Sequence, residues 1–389
     1  MDSKFQWFKD SPLGIFVHWG VYSAIGRGEW VLHQEKMSLD EYDKHFNDFS
    51  AKNYNPEIWA AAAKNAGATY MVLTAKHHDG FCLFDTDSTD RNSVKHGPKR
   101  DLIRPYVEAC RKYGLKVGIY FSPSDWGFEV FNAGPEKAPQ AWDAYIEAVH
   151  LQVRELMSNY GTIDLLWYDG APNFNGTSFL NKDTLKAAEL NAMVRSLQPQ
   201  IIINNRSGHP GDFHTAEQIL TPPQDHDRLW EACMTMNLHW GYFPADQCYK
   251  HTFSILKDMT GVASAGGHML LNIGPREDGS IVETELDKLR EIGNWMKNCH
   301  EAVSGVNRID ISGATYGCTS CKDDFVYIYV HWAHENHKVI IPRCKYQFTK
   351  AIMLNNNREL SFEFKNSSLI IDIPDVEGII LPVIKLCRR

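Results

Sequence analysis

Short apolar runs alternate with longer amphipathic or polar stretches from residue 14 to about residue 300, and this alternation constrains the fold more than any other feature. Because the runs are continuously apolar, we expect them to be buried on both faces, as in a parallel sheet covered by helices. Six runs are interpreted as strands: residues 14–18, 70–74, 116–121, 163–167, 201–204 and 269–273.

The stretches between these runs carry recognisable helix signals. Asn55, Pro56 and Glu57 supply an N-cap, a proline at the first helical position and an early acid, and Gly67 ends the helix. The pattern predicts a (β/α)8 TIM barrel, with a doubly wound sheet as the alternative. Residues 229–234 supply a seventh strand, and since no eighth is evident we expect an irregular barrel. The other predicted helices cover residues 100–113, 141–160, 183–197 and 283–298.

The texture of the chain changes after about residue 300. The apolar runs become short and β-branched, they are bounded by Asn, Asp or Pro, and no helix-length segment separates them. This pattern predicts a small C-terminal antiparallel β-sandwich. We place the boundary near Ser304 and Gly305, with a catalytic barrel over residues 1–303 and the sandwich over residues 304–389.

Charge and hydropathy exclude two classes of partner. The net charge of -8 argues against nucleic acid, because proteins that bind a phosphate backbone usually carry a basic excess. No apolar run approaches the about 18–20 residues of a membrane span, so we expect no membrane partner. The sequence leaves open whether the chain forms oligomers.

The N-terminus and the cysteines bear on the compartment. The first residues lack a basic region followed by an apolar stretch, so no signal peptide is predicted for the chain as given. The nine cysteines do not cluster as a disulfide framework would, which favours a reducing compartment. A cytoplasmic location is expected on these grounds, whereas a chain trimmed of its signal would be secreted or periplasmic.

Polar residues follow the apolar strands repeatedly. In an α/β barrel the catalytic groups project from the C-terminal ends of the strands, so we expect these side chains to share one pocket. Aromatic rings stack on sugars, and carboxylate, imidazole and guanidinium groups satisfy sugar hydroxyls. The polar residues at or just after the strand ends include His18, His77, His78, Asp79, Tyr120, Asp125, Trp167, Asp169, Arg206, Glu231 and Asn272.

Other chemistries lack their sequence signals. Neither a P-loop nor a G-x-G-x-x-G fingerprint is present, and neither an H-E-x-x-H nor a G-x-S-x-G motif occurs. The run of His77, His78 and Asp79 offers metal ligands, but adjacent residues on an extended segment point to opposite sides. We therefore expect no metal and no cofactor.

A set of motifs in a fixed order carries a family resemblance. Together they closely resemble the α-L-fucosidases of glycoside hydrolase family 29, over about three quarters of the chain. The resemblance implies an exo-acting, retaining hydrolase of terminal α-L-fucosyl residues, with fucosylated oligosaccharides or glycoconjugates as substrates. The motifs are FVHWG (16–20), GEW (28–30), AKHHDGF (75–81), WYDG (167–170), INNR (203–206), GDFHTAEQ (211–218), WEACMT (230–235), WGY (240–242) and LLNIGPREDGSI (270–281).

The resemblance also implies roles for individual residues. Asp169 is the expected nucleophile, and Glu217, on a loop segment, is the expected general acid/base, with Glu231 at a strand end as the alternative. Phe16 is expected to accommodate the C5 methyl group of a 6-deoxy sugar. The other expected fucose contacts are His18, Glu29, Trp30, His77, His78, Tyr120, Trp167 and Arg206.

Two other functions compete with hydrolysis of fucosides. A barrel retained as a non-catalytic fucose-binding lectin would not require both carboxyls, and a related glycosidase would act on a sugar such as galactose. Asn272 is expected to close the barrel, and Trp59 and Trp295 are expected in the core. The linkage that is cleaved depends on the loops around residues 124–140 and 170–182.

Overall fold

A computed structural model describes residues 3–170, 179–224, 228–309, 311, 316–332, 337–374 and 378–389. Eight parallel strands form one sheet in the order β5-β4-β3-β2-β1-β8-β7-β6. The strands are β1 Leu13–Val17, β2 Tyr70–Lys76, β3 Lys116–Phe121, β4 Leu165–Tyr168, β5 Ile202–Ile203, β6 His214–Glu217, β7 Trp230–Met234 and β8 His268–Ile273. The barrel predicted from the sequence is confirmed.

One irregularity marks this barrel. The edge strands β5 and β6 share no ladder within the described residues, and they are joined by a single parallel bridge between Asn204 and Phe213. The backbone N–H of Asp212 donates to the carbonyl of Ile203 beside this bridge. The irregularity expected from the sequence therefore lies between the fifth and sixth strands.

Helices cover the outside of the sheet, and shorter ones lie in the loops above it. Pro56–Asn65 begins as predicted, because the Asn55 side chain accepts the backbone N–H of Glu57. The helices are α1 Gln6–Lys9, α2 Tyr22–Ile25, α3 Val31–Gln34, α4 Leu39–Asp43, α5 Pro56–Asn65, α6 Ile103–Lys112, α7 Glu129–Ala133, α8 Pro139–Asn159, α9 Ala187–Leu197, α10 Thr252–Ser264 and α11 Glu283–Val303, with 3-10 turns at Ser3–Phe5 and Lys44–Asn47.

The barrel strands alternate between an inner and an outer face. On β1, Ile15 and Val17 join the large core under the helices, whereas Phe16 joins a separate cluster inside the barrel. Phe8, from the N-terminal helix, packs in this inner cluster against His268 at the start of β8. The inward-facing positions continue past the C-terminal ends of the strands, at the other end of the barrel from Phe8. Side chains at these positions are therefore directed toward a single site.

The sequence prediction missed one barrel strand. Strand β6 has the sequence His-Thr-Ala-Glu and carries no apolar run. Its first three residues, His214, Thr215 and Ala216, are only partly buried. Residues 214–217 were expected to be a loop, and this expectation was wrong. All four of these residues pair with β7, from His214 opposite Trp230 to Glu217 opposite Cys233.

The C-terminal region consists of two antiparallel sheets, as predicted. A six-stranded sheet has the order β14-β13-β17-β11-β10-β9, and a three-stranded sheet has the order β12-β16-β15. Apolar side chains of both sheets pack together, such as Ile328 with Val339. The strands are β9 Asn307–Arg308, β10 Gly317–Lys322, β11 Phe325–Val330, β12 Lys338–Ile341, β13 Phe348–Met353, β14 Arg358–Glu359, β15 Phe362–Lys365, β16 Ser368–Asp372 and β17 Val383–Arg388.

Helix α11 connects the barrel to these sheets and packs against them. The Trp295 indole donates to the carbonyl of Leu381 at 2.8 Å, and the Tyr327 hydroxyl donates to Glu301 at 3.0 Å. Trp59 and Trp295 are both buried, as expected. All nine cysteines lie within the described residues as free thiols, and no described helix is long and apolar enough to cross a membrane.

Candidate active site

A narrow cleft opens at the C-terminal ends of the barrel strands. Its walls combine aromatic rings with a few polar groups, as in sites that bind small molecules. Eight of the residues predicted from the sequence line it, together with Asp169. The lining residues are Phe16, His18, Trp30, His77, His78, Tyr120, Trp167, Asp169, Glu217, Cys233 and Trp240.

Asp169 lies directly after β4 and is held by four groups. Its Oδ2 accepts from the Tyr120 hydroxyl at 2.9 Å and lies 3.5 Å from Nε2 of His78. Its Oδ1 accepts from Arg206 Nη1 and from the backbone N–H of Gly170, both at 2.9 Å. Burial acts to raise the pKa of Asp169, but the Arg206 charge, His78 and the hydrogen bonds outweigh it and hold the pKa below its ordinary value.

A single nitrogen connects Asp169 to a second carboxyl. Arg206 Nη1 lies 2.9 Å from Asp169 Oδ1 and 2.7 Å from Glu217 Oε2. Because both oxygens contact this one atom, they are separated by at most about 6 Å, close to the roughly 5–5.5 Å that a retaining glycosidase requires between its carboxyls. The Asp169 side chain is 14% exposed and that of Glu217 is 42% exposed, so Glu217 is the carboxyl on the solvent side.

Arg206 itself is fixed on three sides. Its Nε donates to the Thr215 hydroxyl at 2.7 Å, and its guanidinium lies over the Trp167 ring at 4.7 Å. Arg206, which was predicted to contact the sugar, lies between the two carboxyls and is not among the residues that line the cleft.

Glu231 occupies a different level of the barrel. It is the second residue of β7, opposite His268, and it was wrongly expected at the strand end. It is fully buried two residues before Cys233, roughly 6–7 Å deeper along the strand. Its carboxyl accepts the Trp167 indole N–H at 2.8 Å and the Tyr70 hydroxyl, and it lies outside the residues that line the cleft.

The three histidines of the site share one environment. Burial lowers the pKa of His18 to about 3 and that of His78 to about 4, and it lowers the pKa of His77 well below its ordinary value. Neutral imidazoles can each accept one hydrogen bond and donate another, which suits sugar hydroxyls.

The expectation that His77 and His78 point to opposite sides was wrong. Strand β2 ends at Lys76, and the chain then turns, with the Gly80 N–H bonded to the His77 carbonyl at 3.1 Å. Both rings therefore face the cleft, with their centroids 4.3 Å apart. Among the described residues, no group of three His, Cys, Asp or Glu side chains could hold a metal ion.

Glu29, which was predicted to contact the sugar, is not among the residues that line the cleft. It is buried, and its Oε2 accepts the backbone N–H groups of Trp240 at 3.2 Å and Gly241 at 2.8 Å. The Trp240 ring forms a wall of the cleft that no residue prediction included. The WGY motif could have identified Trp240 from the sequence. Cys233 could have been identified because it lies two residues after Glu231 on the same strand and therefore faces the same, inner side of the barrel.

The barrel and its cleft fit one class of protein. An aromatic cleft at the C-terminal ends of the barrel strands, with two carboxyls at about this separation, is the arrangement that a retaining glycoside hydrolase requires. The family profile described as Alpha-L-fucosidase matches residues 2–301. The chain belongs to the α-L-fucosidase family and is an α-L-fucosidase.

Individual relatives and structures agree with this assignment. Tissue alpha-L-fucosidase of Bos taurus is 29% identical over 409 residues, with 97% of this chain and 86% of the relative covered. Alpha-L-fucosidase isoenzyme 1 from Paenibacillus thiaminolyticus is 34% identical, with a TM-score of 0.92 over 100% of this chain and 99% of that one. An alpha-L-fucosidase from Bacteroides thetaiotaomicron, a covalent intermediate trapped with 2-fluoro-fucosyl fluoride, is 26% identical, with a TM-score of 0.91 over 100% and 97%.

Proposed function

We propose that this α-L-fucosidase releases terminal fucose with Asp169 as the nucleophile and Glu217 as the general acid/base. The observation that carries the proposal is the shared Arg206 nitrogen, which keeps the two carboxyls within the separation of a retaining mechanism. The depressed pKa of Asp169 supports its role, because a nucleophilic carboxylate must be ionised.

The reaction then takes two steps. Asp169 attacks C1 of the fucosyl residue while the bond from C1 to the leaving oxygen breaks, and Glu217 gives its proton to that oxygen. In the second step Glu217 takes a proton from water, the water oxygen bonds to C1, and the ester bond to Asp169 breaks. Two inversions at C1 give net retention, and Glu217 ends the cycle protonated again.

The remaining lining residues bind and orient the sugar. His18, His77 and His78 offer neutral ring nitrogens to the hydroxyl groups, and the Trp30 and Trp167 rings cover apolar faces of the sugar. These contacts hold C1 beside Asp169, and this fixed orientation of the reacting groups accelerates the reaction.

Phe16 supports selectivity for a 6-deoxy sugar. Its ring lies 5.1 Å from Trp167 and 5.9 Å from Trp240, so three aromatic rings form an apolar corner. Burial of a C5 methyl group in this corner stabilises the bound sugar, whereas a 6-hydroxyl group would be buried there without a hydrogen-bond partner. Galactosides should therefore be poorer substrates. The substrates are fucosylated oligosaccharides or glycoconjugates, and nine free thiols favour action in a reducing compartment such as the cytoplasm.

Covalent trapping tests the nucleophile directly. The protein is incubated with 2-fluoro-fucosyl fluoride, digested and analysed by mass spectrometry, and the fucosyl label should lie on the peptide that contains Asp169. Asp169→Asn should lower kcat/KM by several powers of ten without loss of fold and should abolish labelling. A label elsewhere, or none on a fully active enzyme, would refute the assignment.

Chromogenic substrates separate the competing functions. Turnover of an aryl α-L-fucoside excludes a lectin, which would bind fucose and release nothing. Turnover of the matching galactoside at an equal or higher rate would instead identify a galactosidase.

A further inference from the structure

Asn272, which was expected only to close the barrel, lies where two walls of the fucose cleft meet. It is buried on β8 opposite Phe16 of β1, in the inner register of the barrel. Its Oδ1 lies 2.7 Å from Nδ1 of His18, and its Nδ2 donates to the carbonyl oxygen of Trp240, also at 2.7 Å.

These two contacts fix the proton on His18. A backbone carbonyl can only accept, so the Asn272 amide must direct its NH₂ group at Trp240 and its oxygen at His18. An amide oxygen also only accepts, so Nδ1 of His18 must carry the hydrogen. Nε2 is then the acceptor nitrogen of a neutral ring, and this ring lines the cleft.

The same amide positions the Trp240 wall. Trp240 lies in the long connection between β7, which ends at Met234, and α10, which begins at Thr252. Its backbone N–H is held by Glu29 and its carbonyl by Asn272. The Trp240 ring lies 5.0 Å from the His18 ring, so one side chain sets the relative position of both rings.

The backbone beside Asn272 allows this close approach. A Cβ added at Gly274 would lie 2.9 Å from the Trp240 carbonyl oxygen and 3.0 Å from the Tyr242 nitrogen. Only glycine therefore lets the connection after β7 rest against the end of β8, where Asn272 can reach it.

We propose that Asn272 is a positioning residue that holds His18 as the Nδ1–H tautomer, so that its Nε2 accepts a hydrogen bond from a fucose hydroxyl, and that fixes Trp240 against it. The inference rests on the proposed function of the cleft. It adds a residue that does not contact the sugar itself and affects sugar binding through His18 and Trp240.

Two variants of Asn272 separate this role from a purely structural one. Asn272→Ala removes both hydrogen bonds and should lower kcat/KM for an aryl fucoside on the order of tenfold or more, because small displacements of binding groups are costly. Asn272→Asp keeps an acceptor for His18, loses the donor to Trp240 and adds a negative charge. That charge favours the His18 imidazolium, whose Nε2–H can no longer accept.

The pH profile therefore distinguishes the two variants. The charged and titratable groups around His18 are Asp169, which favours its protonation, His78, which opposes it, and His77 and Tyr120, whose rings each lie 5.6 Å from the His18 ring. In Asn272→Asp, kcat/KM should fall at least about threefold more than in the wild type between about pH 8 and about pH 5.5. Asn272→Ala should follow the wild-type profile at a lower level.

Controls keep the outcomes distinct. Asn191→Ala removes a buried amide on α9, outside the site, and should retain wild-type kcat/KM. The affinity of each variant for L-fucose is measured by calorimetry, and Asn272→Ala should bind it at least about tenfold more weakly.

Each result decides the inference. Asn272→Ala within twofold of the wild type, or the same pH profile for the Ala and Asp variants, would overturn it. If Asn272→Ala does not fold, the profile of the isosteric Asp variant decides alone. A wild-type protein without fucosidase activity would instead remove the proposed function.

Discussion

Replacing Glu231 by alanine separates the two candidate acid/base residues. Glu231 accepts hydrogen bonds from the Trp167 indole and the Tyr70 hydroxyl, and all three side chains are buried. Glu231→Ala leaves both donors without an acceptor in a region that water does not reach.

The structure gives the magnitude of this change. Each buried donor left unpaired costs about 1–3 kcal/mol, so the free energy of unfolding should fall by about 2–6 kcal/mol. The variant also no longer buries the Glu231 carboxyl, and the lost cost of that burial offsets part of the loss in stability. Glu231→Gln should cost less, because its amide oxygen can accept from Trp167 while its NH₂ group donates to the Tyr70 hydroxyl oxygen.

The activity assay compares two fucosides, one with an activated aryl leaving group and one with a natural sugar. Glu231→Ala displaces Trp167, a wall of the cleft, and should lower kcat/KM by the same factor on both. Glu217→Ala should spare the activated substrate, because a good leaving group needs little protonation.

Urea unfolding and kinetics on the same preparations complete the test. If Glu231→Ala spares the activated substrate and Glu217→Ala does not, the two glutamates exchange roles. An unchanged urea midpoint for Glu231→Ala would show that the carboxyl does not anchor Trp167 and Tyr70.

Three further predictions concern stability and selectivity. Burial raises the pKa of Glu285 to about 7, so the folded state binds its proton more tightly than the unfolded state. The contribution of Glu285 to the free energy of unfolding should then fall by about 3 kcal/mol as pH rises from about 4.5 to 7, so the difference between the wild type and Glu285→Gln should change by that amount in urea titrations over this range. Lys76→Met leaves the buried Asp125 carboxyl without its 2.9 Å ion-pair partner and should cost about 3–5 kcal/mol, whereas the double variant with Asp125→Leu should recover most of the urea midpoint. Phe16→Ser should reduce the preference of kcat/KM for fucosides over galactosides by about 10- to 100-fold, and an unchanged ratio would remove Phe16 from selectivity.

The sequence predicted the parts of the fold that carry their own hydrophobic signal. Strand β3 has the bounds that were expected, because its residues are buried on both faces. Strand β6 has no such signal, since it lies at the edge of the sheet and its stability comes from backbone pairing with β7. A hydrophobic pattern in the sequence reveals strands that bury a face, and an edge strand whose face is partly exposed shows little of this pattern.

The site was predictable in its composition and less so in its geometry. Which side chains gather at the strand ends follows from topology alone, as for Asp169 after β4. The depth of Glu231 depends on strand register, and the orientation of His77 and His78 depends on the turn closed between His77 and Gly80. Both depend on contacts between segments distant in the chain, which a single sequence does not display.

The single bridge between β5 and β6 gives the two carboxyls that we propose as catalytic unequal support from the sheet. Asp169 follows β4, which pairs with both neighbouring strands, whereas Glu217 ends β6, whose only ladder within the described residues is with β7. The proposed nucleophile therefore lies beside the more fully paired part of the barrel, and the proposed proton donor lies at its less paired margin. Substitutions that weaken the pairing of β6 should displace Glu217 more readily than Asp169.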